Sequence, residues 1–235
     1  KTRVANVPKG AEVLLETRFP YLTANQRRVV LKSTAIASGY PVMDDAEGYG
    51  RLNLFKAGAG YGNFNGDVTL NMDAALGGFN QSDQWGNDIS GAGKLTKLGT
   101  GALGLNGNNT FTGGIDITQG TIRLLSEHAA GQGDVYVRAN SNLNINTTTT
   151  LRLKSNFTQL ASSTLLVDFK SAMQPAVQID QTASLNGLLN IRTSSTLPAG
   201  TYTVLTAKKL QGSYQKVTLN GQEITPIYQD NSLRF

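Results

Sequence analysis

The chain has 235 residues, 26 of them glycine and none cysteine, and charged side chains make up only 16%. That composition suits a folded, turn-rich β protein and excludes a disulfide framework, a cysteine metal site and a highly charged disordered segment. Net charge is +5, with +4 in residues 1–60 (nine Lys or Arg against five Asp or Glu) and +1 in residues 61–235 (twelve against eleven), so no cationic stripe suited to nucleic acid runs along the chain. No apolar run approaches the roughly 18 residues of a membrane span, no signal-like segment is present, and the start on Lys1 is expected of a processed or truncated piece.

Residues 1–60 are expected to be partly helical. Thr23 followed by Gln26 has the capping-box pattern and predicts a helix through Val29, Val30, Leu31 and Ala35 that stops at Gly39, with Pro41 forbidding continuation. Arg27 and Arg28 read as its solvated face. Asp44, Asp45 and Glu47 form an acidic loop, and Asn53 is placed to cap a second short helix through Leu54, Phe55 and Ala57 before Gly58 and Gly60 break it. From Tyr61 onward no helical periodicity is predicted. Alternation replaces it, with Val68, Leu70 and Met72 on one face and Asp67, Thr69 and Asn71 on the other.

The strongest pattern begins at residue 91. Leu103/Leu105, Ile122/Leu124, Leu143/Ile145 and Leu165/Val167 are apolar pairs offset by 19, 21 and 22 residues, and Ile115/Ile117 and Val135/Val137 fall between them at an offset of 20. Residues two apart on a strand face the same side. A period near 20 with at least two short strands predicts a β-solenoid, whose coils bury their apolar faces only by stacking. Asn140, Asn142, Asn144 and Asn146 alternate with Leu143 and Ile145, and such asparagines are able to hydrogen-bond from coil to coil. In the final stretch Tyr202, Val204, Leu210, Tyr214, Val217 and Leu219 are expected to cover the last coil, because an open sheet edge needs protection.

Little in the chain suggests reaction chemistry. His128, the single histidine, lies in the loop-like SEHAAGQG, with Glu127 expected on the opposite side of an extended segment and no serine or carboxylate at triad spacing. The carboxylate pairs Asp44/Asp45, Asp83/Asp88 and Asp67/Asp73 have the residue type that glycosidases use, but also the type that holds turns. GAGKLTKLG lacks the P-loop form and no calcium nonapeptide occurs. Lys97, two residues from Leu95, is expected to point inward at a coil edge and snorkel toward water. No catalytic, cofactor-binding or metal-binding residue is assigned, and no cofactor is expected.

Gly91, Gly93, Leu95, Lys97, Gly99, Gly101, Leu103, Leu105, Gly107, Asn109, Thr110, Phe111, Gly113, Gly114, Gly120, Thr121 and Leu124 match in order the autotransporter-associated β-strand repeat, so residues 91–124 resemble that family of Gram-negative bacterial surface and secreted proteins. Ile115 departs from its more usual Thr. The resemblance implies a right-handed parallel β-helix and passage across the envelope, without implying an activity. Residues 7–64, through GAEVLLETRFPYLT, SGYPVMDD and EGYGRLNLFKA, resemble the segment joining the catalytic domain to the repeat region in secreted type 2 phosphatidic acid phosphatases of the acid phosphatase and haloperoxidase superfamily. None of that superfamily's phosphate-cradling motifs is present, since Ser38-Gly39 is followed by Tyr40, so no catalytic residue carries over. GYGRLNLFKA is also similar to the end of subtilisin-like protease domains in autotransporters. The sequence upstream of Lys1 separates the two.

The expected organisation is therefore mainly β: residues 1–60 a partly helical linker or end of an upstream catalytic domain, 61–196 a β-solenoid, and 197–235 a C-terminal β cap. The resemblance to the phosphatases implies a non-catalytic stalk or export module of a secreted enzyme, and the alternatives are an adhesin or autotransporter passenger fragment and a carbohydrate-active β-helix enzyme. Expected partners are the upstream domain of the same protein and surface or host glycans and proteins, with no nucleic acid and no membrane span, in a secreted, periplasmic or cell-surface location.

Overall fold

The computed structural model describes residues 7, 9–36, 39–42 and 49–235. Three helices come first: α1 (Lys9–Arg18), α2 (Ala24–Thr34) and α3 (Leu54–Ala57). The Thr23 hydroxyl accepts from the Gln26 amide at 3.1 Å and the Gln26 side chain accepts from the Thr23 amide at 2.9 Å, which completes the predicted capping box. Asn53 caps α3 by accepting from the Lys56 amide at 3.1 Å. Helix α2 ends at Thr34, because Ala35 already has extended ψ, five residues short of the predicted stop at Gly39. Helix α1 was not anticipated from the sequence, and the acidic loop of Asp44, Asp45 and Glu47 lies outside the described residues.

The rest is a β-solenoid. Coil by coil its strands are β1 (Val68–Asn71) and β2 (Ser82–Trp85), β3 (Leu95–Leu98) and β4 (Ala102–Leu105), β5 (Ile115–Ile117) and β6 (Gly120–Leu124), β7 (Val135–Val137) and β8 (Ser141–Ile145). There follow β9 (Leu151–Leu153), β10 (Phe157–Gln159), β11 (Thr164–Asp168), β12 (Val177–Leu185), β13 (Leu188–Arg192), β14 (Thr203–Gly212) and β15 (Lys216–Leu219). They form two sheets of parallel neighbours, one running β1, β3, β5, β7, β10, β12, β14 and the other β2, β4, β6, β8, β11, β13, β15, with β9 pairing β12. The predicted apolar pairs are in register: Leu103, Ile122, Leu143 and Leu165 form one interior column, and Leu105, Leu124, Ile145 and Val167 a second. All eight are buried.

Glycine punctuation has a steric origin. A Cβ on Gly113 would lie 2.2 Å from the backbone carbon of Gly93, and one on Gly93 would lie 2.0 Å from the carbonyl oxygen of Gly66. The turns of successive coils touch backbone to backbone there, an approach that only glycine permits. Between β1 and β2 the chain makes a 3₁₀ turn at Ala74–Leu76 and a four-residue helix α4 (Gly78–Gln81), correcting the expectation that helix is absent after Tyr61. Asp73 starts this excursion by accepting from the Ala75 amide at 3.0 Å. Its polar composition gave no amphipathic signal.

The two ends of the stack differ. At the N-terminal end Leu15, Phe19, Tyr21, Leu22, Val30 and Leu31 join the same buried cluster as Leu70, Met72 and Trp85 of the first coil. At the C-terminal end β16 (Gln222–Ile224) pairs antiparallel with β15, and a hairpin of β17 (Ile227–Gln229) and β18 (Ser232–Arg234) pairs antiparallel with β14. Val204, Tyr214 and Val217 are buried within or beside the last parallel coil, while Tyr202, Leu210 and Leu219 are partly buried; the antiparallel strands lie beyond them.

Candidate functional site

Polar chemistry under cover is concentrated at the seam between the helices and the first coil. Arg18 closes α1 and its guanidinium lies over the rings of Phe19 and Phe79, 4.4 and 4.5 Å from their centroids. Its Nη1 donates to Asp83 Oδ2 at 2.6 Å. The Tyr21 hydroxyl donates to the same oxygen at 2.5 Å and accepts from Trp85 Nε1 at 2.9 Å, while Asp83 Oδ1 accepts from the Gln84 amide at 2.7 Å. Burial first, and then the Asp83 charge, hold the Tyr21 phenol well above its ordinary pKa, so it stays neutral and donates. Each group in this buried network has a partner and none is left as a nucleophile, which makes it a clamp.

The same helices guard the stack's first strands. Strands β1 and β2 each have one edge with no strand partner, and an open edge invites foreign strands. Gln26 Nε2 donates to the Thr69 carbonyl of β1 at 2.8 Å, and Arg18 Nη2 reaches the Gln84 carbonyl of β2 at 3.3 Å. Nearby, Asn87 Nδ2 donates to the carbonyls of Lys56 and Gly60 at 2.8 and 2.9 Å, tying α3 to the turn after β2.

Lys97 does not snorkel to water. It occupies the interior column of Leu70, Ile117 and Val137, is fully buried, and donates from Nζ to the carbonyls of Leu98, Gly99 and Gln119 at 2.9, 2.7 and 3.3 Å. The amine thus joins two successive turns from inside. Burial lowers its pKa to about 8. Asn109 makes a comparable link: its Oδ1 accepts from the Ile89 amide and its Nδ2 donates to the Ala129 carbonyl, both at 2.8 Å, spanning three coils. The exposed asparagines form no such ladder among the described residues. Asn142 donates to the Gly120 carbonyl at 3.4 Å and Asn146 accepts from Lys170 at 3.0 Å.

The remaining singled-out residues serve turns and surfaces. His128 sits in a turn, which brings its Nε2 to 3.8 Å from Glu127 rather than to the opposite side, and Glu127 accepts from Arg152 at 2.9 Å. Asp88 accepts from the Asn108 amide at 2.7 Å and Asp67 from the Lys94 amide at 2.9 Å, so these carboxylates hold backbone turns as Asp73 does. Arg27 donates to the Leu22 carbonyl at 2.6 Å and pairs with Glu16 at 3.4 Å, bracing α1 against α2, whereas Arg28 is exposed. Among the described residues no group of three or more His, Asp or Glu is placed to hold a metal ion, and no helix is long and apolar enough to cross a membrane. The clamp was not visible in the sequence, because Arg18 and Asp83 lie 65 residues apart.

Comparison with known proteins agrees with the repeat. The Passenger-associated-transport-repeat family matches residues 95–124. An extracellular serine protease of Serratia marcescens is 32% identical over 146 residues, covering 49% of this chain and 14% of that protein. The Neisserial autotransporter lipoprotein NalP of Neisseria meningitidis is 34% identical over 125 residues, covering 51% of this chain and 11% of that protein. Serotype-specific antigen 1 of Mannheimia haemolytica is 29% identical over 160 residues, covering 68% and 16% respectively. The chain thus spans a small fraction of the length of these relatives, and none of them is described as a phosphatase.

Proposed function

We propose that the chain is the non-catalytic solenoid portion of an autotransporter passenger, a rod that presents a neighbouring domain of the same protein outside the cell. One observation carries the reading: the strands stay in continuous parallel register through a passenger-type repeat. The interior is filled by side chains, and the buried polar groups of the seam are spent on one another, so the chain offers rigidity and length rather than a reaction centre. On this reading the coils are right-handed, the hand that parallel crossovers favour, and the location is secreted or on the cell surface. Helices α1 to α3 join the rod to the domain it carries, and surface or host glycans and proteins are the external partners. The phosphatase parent implied by residues 7–64 finds no support in the relatives, so the autotransporter alternative is preferred.

The test places the chain between a reporter and a translocating β-barrel in a Gram-negative host. Surface display of the reporter, read by protease shaving of intact cells, is expected with the chain and is expected to fall when residues 68–219 are deleted. Equal display without them would refute the export role. Purified chain is expected to hydrolyse neither a phosphomonoester nor a peptide; turnover abolished by His128→Ala would overturn the non-catalytic assignment.

A further inference from the structure

Beside the seam, a cavity of about 260 Å³ lies between α2 and the loop that leads into β1. Asn25 and Val29 line it from the helix, and Tyr40, Tyr61, Asn63 and Asn65 from the other side. Two of these bring an unmet hydrogen-bonding demand. The Tyr61 hydroxyl and Asn63 Oδ1 are both buried and have no partner, although Asn63 Nδ2 donates to Ser90 Oγ at 2.8 Å. Buried polar atoms in native folds are almost always paired, so a donor hydroxyl and an acceptor carbonyl on one cavity call for an occupant. One water takes up about 30 Å³, and the space holds several of them or one small ring.

The lining decides the chemistry of that occupant. No lysine, arginine or histidine lines the cavity, which excludes a phosphate or carboxylate ligand, and the single carboxylate, Asp67, already accepts from the Lys94 amide at 2.9 Å, which leaves no site for a cation. Burial, with a lesser contribution from Tyr40, raises the Tyr61 pKa, so its hydroxyl remains neutral. Its ring is fixed by Phe64 and Trp85, each 5.3 Å away between centroids. Apolar surface from Val29 and Phe64 beside side-chain amides and an immobile phenol suits a ligand with apolar ring faces and a rim of uncharged hydroxyls. We propose that this cavity binds a single pyranose, free or at the end of a glycan. The inference does not depend on the passenger reading, since a rod needs no such pocket.

The experiment uses the whole chain. Methyl pyranosides of glucose, galactose, mannose and N-acetylglucosamine, and short oligosaccharides ending in them, are examined by saturation-transfer NMR and calorimetric titration. At least one is expected to bind, and Tyr61→Phe, which keeps the ring and removes the hydroxyl, is expected to weaken it about tenfold, the effect of one hydrogen bond. Its thermal melt is expected to stay level or rise, because the hydroxyl has no partner in the empty protein. Asn25→Trp, at the exposed rim in the first turn of α2, is expected to block entry and abolish binding with little change in the melt. Binding of an oligosaccharide but of no methyl pyranoside, with both variants weakened, would identify a glycan end as the source. No binding by any probe at concentrations on the order of 10 mM, or binding unchanged in both variants, overturns the proposal and leaves an assignment to ordered water.

Discussion

The two ends of the stack face one physical problem and meet it by different means. Stacked strands end in unpaired backbone groups and an uncovered core. At the N-terminal end, helices bring Phe19, Tyr21, Leu22 and Leu31 over the first coil, and side chains from Gln26 and Arg18 donate to the free carbonyls of β1 and β2. At the C-terminal end no helix is present; strands fold back through tight turns at Asn220-Gly221 and Asp230-Asn231, all four residues at positive φ, and continue the ladder antiparallel. Side-chain burial seals one end and backbone pairing finishes the other. Damage at the first should therefore spread into the core, and damage at the second should stay local.

The interior between the ends sets the scale. Leu124 is fully buried in register with Leu105 and Ile145, so Leu124→Asp places an unpaired charge in a dry column and should cost about 4 kcal/mol or more. Arg123, its neighbour on the outward face, should tolerate Asp within about 0.5 kcal/mol. Urea melts of both variants check the contrast, and equal losses would contradict the register.

The clamp at the N-terminal end comes next in size. Asp83→Ala removes the shared acceptor of Arg18 and Tyr21, leaving a phenol without its acceptor among buried groups and a guanidinium whose side chain is 23% exposed. The expected loss is about 3 kcal/mol, below the upper range for breaking a buried pair because Arg18 regains some water. If this end is coupled to the core as its packing implies, the melt stays a single transition at lower denaturant. A separate early transition confined to the helices would show instead that they unfold independently.

Lys97 gives a pH test within the same half of the molecule. Its folded-state pKa is lowered to about 8 from an ordinary 10.5, so between those values the unfolded chain binds more protons and stability rises with pH. The gain is expected to reach about 2 kcal/mol between pH 8 and pH 10, and a Lys97→Met variant should lack it. Above pH 10 the buried Tyr21, Tyr61 and Tyr214, whose pKa values burial raises, act in the opposite sense and stability should fall in both proteins. A wild-type curve parallel to that of Lys97→Met from pH 8 to 10 would mean that the amine is not buried in solution.

How far the sequence revealed these features follows from how each is specified. Parallel stacking puts equivalent residues of successive coils in contact, so Leu103, Ile122 and Leu143 repeat along the chain as they repeat in space, and the solenoid was legible. Capping is equally local, and Thr23 with Gln26 and Asn53 with Lys56 announced two helices. Helix α1 buries only Ala11 and Leu15 and leaves Val13 and Leu14 exposed, so its apolar residues marked no single face. The clamp and the Tyr61 cavity join segments that touch once and obey no period. Lys97 is an intermediate case: alternation placed it inward, but only the folded turns bring three carbonyls around its amine.

The smallest predicted effect tests whether the C-terminal end is finished locally. Gly221 has φ +85°, a conformation that opposes a Cβ even though no atom lies within 4 Å of where one would sit. Gly221→Ala should therefore act through backbone strain alone and cost about 1 kcal/mol. Because β16 meets the stack only through the antiparallel ladder to β15, that cost should appear as faster amide exchange in residues 217–224, with the amides of β4, β6 and β8 unchanged. Gln26→Ala, the counterpart at the other end, removes half the capping box and the bond to Thr69 for a similar cost of about 1 kcal/mol. Its exchange effect should extend through α2 into β1 and β3. Identical, local exchange footprints for the two variants would abolish the distinction between an end sealed by burial and an end finished by pairing.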